Sequence, residues 1–272
     1  MQVAIYIGKE SFGADPRFVR LVDDLSAGGF ELYHVSSAAD IRPGTDMLLS
    51  VGGDGTFLSS STVVADSGIP VAGVNLGRMG FLSENTPEDL AQALLAGDYT
   101  VENRAMLSVV HEDETVFPGS FAHALNEMAV HRKGPAVLEV EVRVDGICLP
   151  SYWADGLIIS TSSGSTAYSL SVGGPIVLPE AKVLIISPIA PHNLNVRPMV
   201  VPDSSQIDLR ITSRDGEFVF SSDNRSVTLK SGAGLKVSLA QFSLRRVRLN
   251  RSDFINALTQ KLFWGEDVRN LK

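Results

Sequence analysis

The stretch Asp46–Thr56 reads DMLLSVGGDGT and joins an apolar run to a turn that contains three glycines. The apolar run Asp46–Val51 predicts a buried parallel strand, and Phe57–Asp66 predicts the helix that follows the turn. Strand, glycine-rich turn and helix in this order are typical of a parallel α/β sheet.

The turn itself supports two hypotheses. Glycines let a ligand approach the backbone closely, and the following helix directs N–H groups at it, which favours phosphate binding by Gly52, Gly53, Gly55 and Thr56. The sequence is neither a Walker A loop nor GxGxxG. On this hypothesis Asp54 is a base that faces a hydroxyl attacking a phosphoryl group. The alternative is a tight turn in which Asp54 only caps the helix.

Strand and helix patterns continue on both sides of this turn. Together they predict an α/β domain over residues 1–103, because each apolar run is followed by a loop or by a helical pattern. The predicted strands are Gln2–Ile7, Glu31–Val35 and Pro70–Asn75, and the predicted helices are Pro16–Ala27 and Pro87–Ala96.

After Asn103 the pattern changes to short β-rich runs separated by turns, which predicts a mostly β second domain. A last helical pattern covers Ser252–Leu262. The predicted strands are Met106–His111, Ala122–Arg132, Leu138–Asp145, Trp153–Ser160, Ile207–Ser213, Glu217–Ser222, Ser226–Leu229 and Leu235–Leu239.

The composition limits the functional class. The 272 residues include 23 basic and 31 acidic side chains, a net charge of −8, which argues against a general nucleic-acid or anionic-membrane binder. Cys148 is the only cysteine, so an internal disulfide is excluded and a reducing compartment is favoured. The sequence shows no signal-peptide pattern, and no apolar run approaches about 18 residues. We therefore expect a soluble cytoplasmic protein.

Three further segments carry candidate site residues, each with a structural alternative. Arg78 follows a predicted strand in NLGRMGFL and either stabilises phosphate charge or is solvated. Asn126 and Glu127 form a polar pair inside an apolar strand and either hold ribose or base groups or lie on an exposed edge. The Ser/Thr/Gly-rich run 154–175 either binds a ligand, with Tyr168 against an adenine face, or is only a loop. The five histidines form no metal-ligand motif, and no GxSxG elbow is present.

Taken in order, these motifs resemble the NAD kinase family over about residues 46–264. GGDGT alone is similar to loops in diacylglycerol kinases, sphingosine kinases and phosphofructokinases. The block at 154–175 is far more specific to the NAD kinase family. The matching segments are GGDGT (52–56), NLGRMGFL (75–82), LNEMAVHR (125–132), ADGLIISTSSGSTAYSLSVGGP (154–175) and SPIAPHNLNVRP (187–198).

The resemblance implies transfer of the terminal phosphoryl group of ATP to the 2′-hydroxyl of the adenosine ribose of NAD, which gives NADP. It implies an α/β domain at 1–103, a β-sandwich NAD-binding domain at 104–246, and a C-terminal segment at 247–272 that packs on the first domain. It further implies a dimer or tetramer, and Mg²⁺ or another divalent cation that accompanies the nucleotide.

Residue roles follow from the same resemblance. Asp54 resembles the base at the acceptor hydroxyl, with Gly55 beside it, and Asp155 resembles a residue that reaches NAD in the neighbouring subunit. The other NAD-binding positions implied are Asn126, Glu127, Thr166, Ala167, Tyr168, Ser169, Leu170, Ser171, Ile189 and Ala190.

Two positions depart from the family pattern. Trp153 stands where the family often has arginine, and Asp223-Asn224-Arg225 replaces Asp-Gly-Gln or Asp-Ser-Gln. We expect Arg225 to add a cationic contact near the ligand. The competing functions are a lipid kinase of the diacylglycerol type, which shares the GGDGT loop, and a non-catalytic NAD sensor on the same fold.

Overall fold

The computed structural model describes residues 1–77, 80–111, 117, 122–250 and 254–263. Its chain divides into two compact units, Met1–Asn103 with Leu244–Lys272, and Arg104–Ser243. The chain enters the second unit once and returns once, so the C-terminal helix belongs to the same unit as the N-terminus.

Helices lie mainly in the first unit. None of the helices in the described part of the chain is long and apolar enough to cross a membrane. Short 3₁₀ turns occur at Glu10–Ala14, Ala38–Asp40 and Ser163–Thr166. The described α-helices are α1 (Pro16–Ala27), α2 (Asp54–Val64), α3 (Pro87–Ala96), α4 (Tyr168–Ser171) and α5 (Phe254–Leu262).

Helix α2 corrects the sequence prediction, which placed its start at Phe57. The helix begins at Asp54, because Gly53 is the extended N-cap residue and its carbonyl accepts the N–H groups of Thr56 and Phe57. Half of the glycine-rich turn is therefore the first turn of the helix.

Strands make up most of the second unit. The described strands are β1 (Gln2–Ile7), β2 (Glu31–Val35), β3 (Met47–Val51), β4 (Val71–Val74), β5 (Tyr99–His111), β6 (His123–Ala124), β7 (Glu127–Arg132), β8 (Leu138–Val144), β9 (Ile147–Cys148), β10 (Tyr152–Ala154), β11 (Gly156–Thr161), β12 (Val183–Ile189), β13 (Met199–Pro202), β14 (Ile207–Ser213), β15 (Glu217–Ser222), β16 (Arg225–Lys230) and β17 (Gly234–Leu249).

The first unit contains the expected parallel sheet. Strand β1 lies between β2 and β3, β4 pairs with β3, and the C-terminal part of β17 joins β4 through Arg246 opposite Val71. Strand β3 is buried along its whole length, as the apolar run predicts. The carboxyl ends of β3 and β4 therefore lie side by side, which is where open parallel sheets bind ligands.

The second unit is a β-sandwich. One sheet has the antiparallel order β13-β12-β11-β7-β15-β16, and the facing strands include β10-β8-β14-β17. Their inner side chains form one buried core that includes Val130, Ile159, Phe220, Val140 and Leu209. The fold class expected from the sequence, an α/β domain with a β-sandwich domain and a returning C-terminal helix, is confirmed.

Candidate active site

The glycine turn at the end of β3 combines a tight side and an open side. A Cβ added to Gly52 would lie 2.3 Å from Thr56 Oγ1, and one added to Gly8 would lie 2.2 Å from the same atom. Gly52 also has φ +151, a conformation that favours glycine. By contrast, nothing lies within 4 Å of a Cβ added to Gly53 or Gly55. The backbone is therefore accessible at the two positions that flank Asp54.

Asp54 holds the second glycine-rich loop, the NLGRMGFL segment at residues 75–82. Its Oδ2 accepts the N–H of Phe81 at 2.8 Å, and its Oδ1 accepts those of Leu82 at 3.0 Å and Ser83 at 2.8 Å. Its side chain therefore does not cap α2, the alternative that the sequence left open. A carboxylate offers about four acceptor positions, so within the described residues one position, on Oδ2, has no donor.

The loop that supplies these N–H groups is braced by side chains. Ser83 Oγ donates to the Gly52 carbonyl at 2.6 Å, and Asn75 Nδ2 donates to the Ser83 carbonyl at 2.8 Å. Asn85 Nδ2 donates to the Gly73 carbonyl at 2.9 Å. These bonds tie the loop to β3 and β4, so the two glycine-rich loops are joined through Asp54 and Ser83. The predicted phosphate contact Arg78 lies outside the described residues.

A buried arginine supports the same loop from β17. Arg246 is only 3% exposed and donates to the Leu82 carbonyl at 3.3 Å. Its two terminal nitrogens pair with Glu84 at 2.7 Å and with Glu102 at 2.8 Å. A buried cation with two carboxylates is well compensated, and it fixes the backbone next to Asp54.

In the second unit, an aspartate makes a similar contact. Asp223 accepts the N–H groups of Leu125 at 2.8 Å, Asn126 at 2.9 Å and Glu127 at 3.2 Å. The predicted continuous strand Ala122–Arg132 is wrong at Leu125 and Asn126, because Asp223 binds their N–H groups in place of a neighbouring strand. Strand β6 ends at Ala124 and β7 begins at Glu127.

The polar pair has buried oxygens available for a ligand. Among the described residues, Asn126 Oδ1 and Glu127 Oε2 are buried and have no hydrogen-bond partner. Burial, followed by the nearby carboxyl of Asp223, raises the pKa of Glu127 to about 8. Unpartnered buried polar atoms are costly, and a bound polar molecule would remove that cost.

Within the Thr166–Ser171 block, Thr166 ends a 3₁₀ turn and the short helix α4 follows from Tyr168. Tyr168 stacks on His131 with ring centroids 5.6 Å apart and an interplanar angle of 15°. Burial, then Glu127 and Asp155, raise the pKa of the Tyr168 hydroxyl. Ser169 is fully buried and hydrogen bonds Ser187 at 3.1 Å. The structure therefore brings Tyr168 to Glu127, whereas Ser169 faces the interior.

Asp155 lies where β11 begins and β12 ends. Its N–H donates to the Ile189 carbonyl at 3.0 Å, and Ala190 next to it has a positive φ of 44°. Its carboxylate forms an ion pair with Arg132 at 2.8 Å in the same chain. Asp155, Ile189 and Ala190 are thus neighbours.

Arg225 begins β16 beside Asp223. Its guanidinium donates to the His123 carbonyl and to Ser222 Oγ, and it lies 5.3 Å from the centroid of the Phe117 ring. Burial lowers the pKa of Arg225, and the charge of Asp223 opposes this effect. The arginine is thus held by its own unit.

Several of these residues were not identified from the sequence. The sequence points to Asp223 only as part of a departure from the family pattern, and it does not single out Ser83 or Arg246. The backbone N–H groups that Asp54 and Asp223 bind leave no trace in residue type. The one available signal was an acidic residue at a turn, Asp223 before Asn224, and that is typical of any hairpin.

Comparisons with known proteins identify the class. The model described as ATP-NAD kinase N-terminal domain matches residues 33–97, and that described as ATP-NAD kinase C-terminal domain matches residues 125–249. An NAD kinase of Flavobacterium psychrophilum is 43% identical over 239 residues, which cover 86% of this chain and 81% of that protein. One of Christiangramia forsetii is 39% identical over 258 residues, 93% of this chain and 87% of that protein.

Solved structures of similar fold include an NAD kinase and an NADH kinase. An NAD kinase from Archaeoglobus fulgidus in complex with ATP has a TM-score of 0.77 and 27% identity, and the match covers 92% of this chain and 95% of that one. A yeast NADH kinase complexed with NADH has a TM-score of 0.84 and 25% identity, and the match covers 100% of this chain and 90% of that one.

The fold and the two glycine-rich loops define a nucleotide-dependent phosphotransferase. The chain belongs to the NAD kinase family and is an enzyme that phosphorylates NAD with ATP. The lipid kinase and the NAD sensor that the sequence left open are not favoured.

Proposed function

We propose that this NAD kinase transfers the terminal phosphoryl group of ATP to the 2′-hydroxyl of the adenosine ribose of NAD, with Asp54 as the base. The observation that carries the proposal is the geometry of the Asp54 carboxylate, which three N–H groups orient while one acceptor position on Oδ2 has no donor among the described residues. The hydroxyl donates its hydrogen to that position and attacks the phosphorus. Asp54 takes the proton, and ADP leaves.

The phosphates of ATP lie along the accessible backbone of Gly53 and Gly55 and at the start of α2, with Gly52 and Thr56 shaping the turn. The open space at both glycines and the position at the start of a helix support this. Phosphoryl transfer depends mainly on positioning and charge stabilisation. A turn braced by Ser83 and Asn75 provides the rigidity that this requires.

NAD binds at Asn126 and Glu127 in the second unit. The buried oxygens Asn126 Oδ1 and Glu127 Oε2 support this role, since ribose hydroxyls and the amino group of adenine are suitable donors. Burial keeps the pKa of Glu127 near 8, so at neutral pH its carboxyl is mostly protonated and can also donate to an acceptor on the nucleotide.

The remaining NAD contacts come from the same unit. Tyr168 offers an aromatic face for adenine, and the residues around it, Thr166, Ala167, Ser169, Leu170 and Ser171, shape the pocket. Ile189 and Ala190 line it beside Asp155. Arg225 contributes through its charge and through its hydrogen bond to the His123 carbonyl, which positions the residues before Asn126.

The enzyme works as a dimer or tetramer in which Asp155 reaches the NAD pocket of a neighbouring subunit. The edge strand β13 supports self-association, because Met199 is 37% and Val200 47% exposed there, and edge strands carry backbone groups that can pair with another chain. Trp153, 36% exposed, adds apolar surface next to Asp155. The single cysteine, Cys148, supports a cytoplasmic location, because it fits a reducing compartment.

Mg²⁺ or another divalent cation accompanies the nucleotide. In the described part of the chain no three histidine, cysteine or acidic side chains form a metal-binding group. Mg²⁺ usually keeps several waters and binds through the phosphates, so the nucleotide and water would hold it, because the substrate hydroxyl takes the remaining acceptor position of Asp54. The cation neutralises charge on the phosphates when it is bound.

The test is product formation by the purified chain. NAD and ATP with Mg²⁺ should give NADP, measured with an NADP-specific dehydrogenase, and EDTA should abolish the reaction. NADH, polyphosphate and diacylglycerol are tested in parallel, since they separate the acceptor and donor alternatives. No NADP from NAD and ATP, with phosphorylation of diacylglycerol, would refute the proposal. Light scattering that shows a fully active monomer would refute the shared pocket.

A further inference from the structure

The C-terminal helix α5 contacts the loop that holds Asp54. Lys261 Nζ donates a hydrogen bond to the Gly80 carbonyl, and it lies 4.6 Å from the centroid of the Phe81 ring. The Phe81 ring also faces that of Phe254, at the start of the helix, with centroids 6.1 Å apart. Both ends of α5 therefore meet residues 80–81, within the first unit.

Gly80 leaves no room for a side chain beside the Asp54 carboxylate. A Cβ added to Gly80 would lie 1.9 Å from Asp54 Oδ1, so only a glycine fits there without displacing the carboxylate. The next three residues supply the N–H groups that Asp54 accepts. Whatever fixes Gly80 therefore fixes one end of the site in which Asp54 sits.

Arg246 and Lys261 contact this loop beside the residues that bind Asp54, and their charges are balanced differently. Arg246 at the Leu82 carbonyl is neutralised by Glu84 and Glu102. Lys261 forms no ion pair with any carboxylate of the described residues, although Glu84 and Asp54 lie near enough to favour its charged form. Within the described part of the chain, no direct partner therefore cancels its positive charge.

We propose that Lys261 is a positioning residue for phosphoryl transfer, which fixes Gly80 beside Asp54 and keeps a positive charge next to the glycine turn. The inference rests on the proposed role of Asp54. Lys261 acts through the loop and through its charge, and it takes no proton from the substrate. In this role, helix α5, which lies far from GGDGT in the sequence, contributes to the turnover number.

The protonation of Lys261 gives the proposal a specific signature. Burial lowers the pKa of Lys261 from its usual value near 10.5, Glu84 and Asp54 oppose this, and Arg246 adds to it. As the pH rises through that lowered pKa, the ammonium group loses a proton and its charge. The turnover number should therefore decline on the alkaline side, and the decline should belong to Lys261.

The experiment measures kcat and the KM for NAD between pH 7 and pH 10.5 in the full chain, at saturating ATP. Lys261→Met removes the charge and the donor but keeps an unbranched side chain, and Lys261→Arg keeps a charge that is not titrated in this range. Lys236→Met, on the exposed face of the second unit, is the matched control. We expect Lys261→Met to lower kcat by about ten- to a hundredfold at pH 7.5, with the KM for NAD changed less than twofold.

We expect Lys261→Arg to retain most of the activity and to lose the alkaline decline, while Lys236→Met behaves as the wild type. A wild-type kcat in Lys261→Met, or an unchanged alkaline decline in Lys261→Arg, overturns the inference. If Lys261→Met does not fold, the profile of Lys261→Arg decides alone. The two proposals can fail separately. If the wild type phosphorylates NAD, Asp54→Asn is inactive and Lys261→Met is unaffected, this inference is refuted and the proposed function stands.

Discussion

Replacing Asp54 by asparagine separates its chemical role from its structural one. The asparagine oxygen can still accept the N–H groups of Leu82 and Ser83, which now bind Oδ1 at 3.0 and 2.8 Å. The amide nitrogen takes the place of Oδ2 and faces the Phe81 N–H, so two donors oppose each other. A lost acceptor for one partly buried N–H costs about 1–3 kcal/mol of the free energy of unfolding.

The loss of the proposed base adds a kinetic effect. General-base assistance contributes about 10²–10⁴-fold, so Asp54→Asn should lower kcat by at least about two orders of magnitude. The KM for NAD should change little, because the variant leaves the second unit intact. Turnover is measured with a coupled NADP assay and stability by chemical denaturation.

A control with a similar stability loss is needed, because a weakened loop alone could reduce activity. Thr86 caps α3 by accepting the Asp89 N–H at 3.1 Å, and Thr86→Ala costs about 1 kcal/mol in the same unit. We expect this control to remain active. Near-wild-type turnover in Asp54→Asn would refute the base, and an unchanged free energy of unfolding would refute the geometry that we describe.

Three further predictions test neighbouring features. Gly80→Ala should lower kcat strongly, because its Cβ would lie 1.9 Å from Asp54 Oδ1, whereas Gly77→Ala, with nothing within 4 Å, should not; parallel assays compare them. The pKa of Glu127 is raised to about 8, so between about pH 4.5 and pH 8 the folded state keeps a proton that the unfolded state has released. The free energy of unfolding should therefore fall as the pH rises through this range, and denaturation at several pH values should show that Glu127→Gln removes the fall. Arg225→Gln should change the KM for NAD more than kcat, and steady-state kinetics that leave the KM unchanged would exclude Arg225 from the site.

Much of the fold could be predicted because apolar patterns carry it. The fully buried run Met47–Val51 and the alternating pattern of Ile207–Ser213 are strands in the structure as the sequence predicts. The boundaries were less predictable where polar contacts set them. Helix α2 starts early because a glycine can be an N-cap, and the strand around Asn126 is interrupted because a carboxylate nearly a hundred residues away binds its N–H groups.

In the candidate site too, the residue types could be predicted from the sequence, but their polar contacts could not. The identity of Asp54 as the residue of interest follows from a carboxylate placed among glycines, and that of Asn126 and Glu127 from polarity inside an apolar run. Their partners do not follow, because backbone N–H groups are present at almost every position and only the fold selects which ones meet. Lys261 is a further case, since an ordinary lysine in a C-terminal amphipathic pattern gives no sign that it meets Gly80.

The two units share one arrangement, and it explains how an acidic residue is suited to the proposed phosphate-binding turn. Asp54 accepts the N–H groups of residues 81–83, and Asp223 accepts those of residues 125–127. In each case a single carboxylate orders three successive peptide groups, and charge-assisted bonds of this kind are stronger than neutral ones. The negative charge of Asp54 would repel phosphate if it were free, but three N–H dipoles directed at it reduce that repulsion and fix where its remaining acceptor position points. In the role that we propose for Asp54, a base oriented in this way before the substrate arrives needs no reorganisation during the reaction, and that role would account for both the aspartate and the glycines around it.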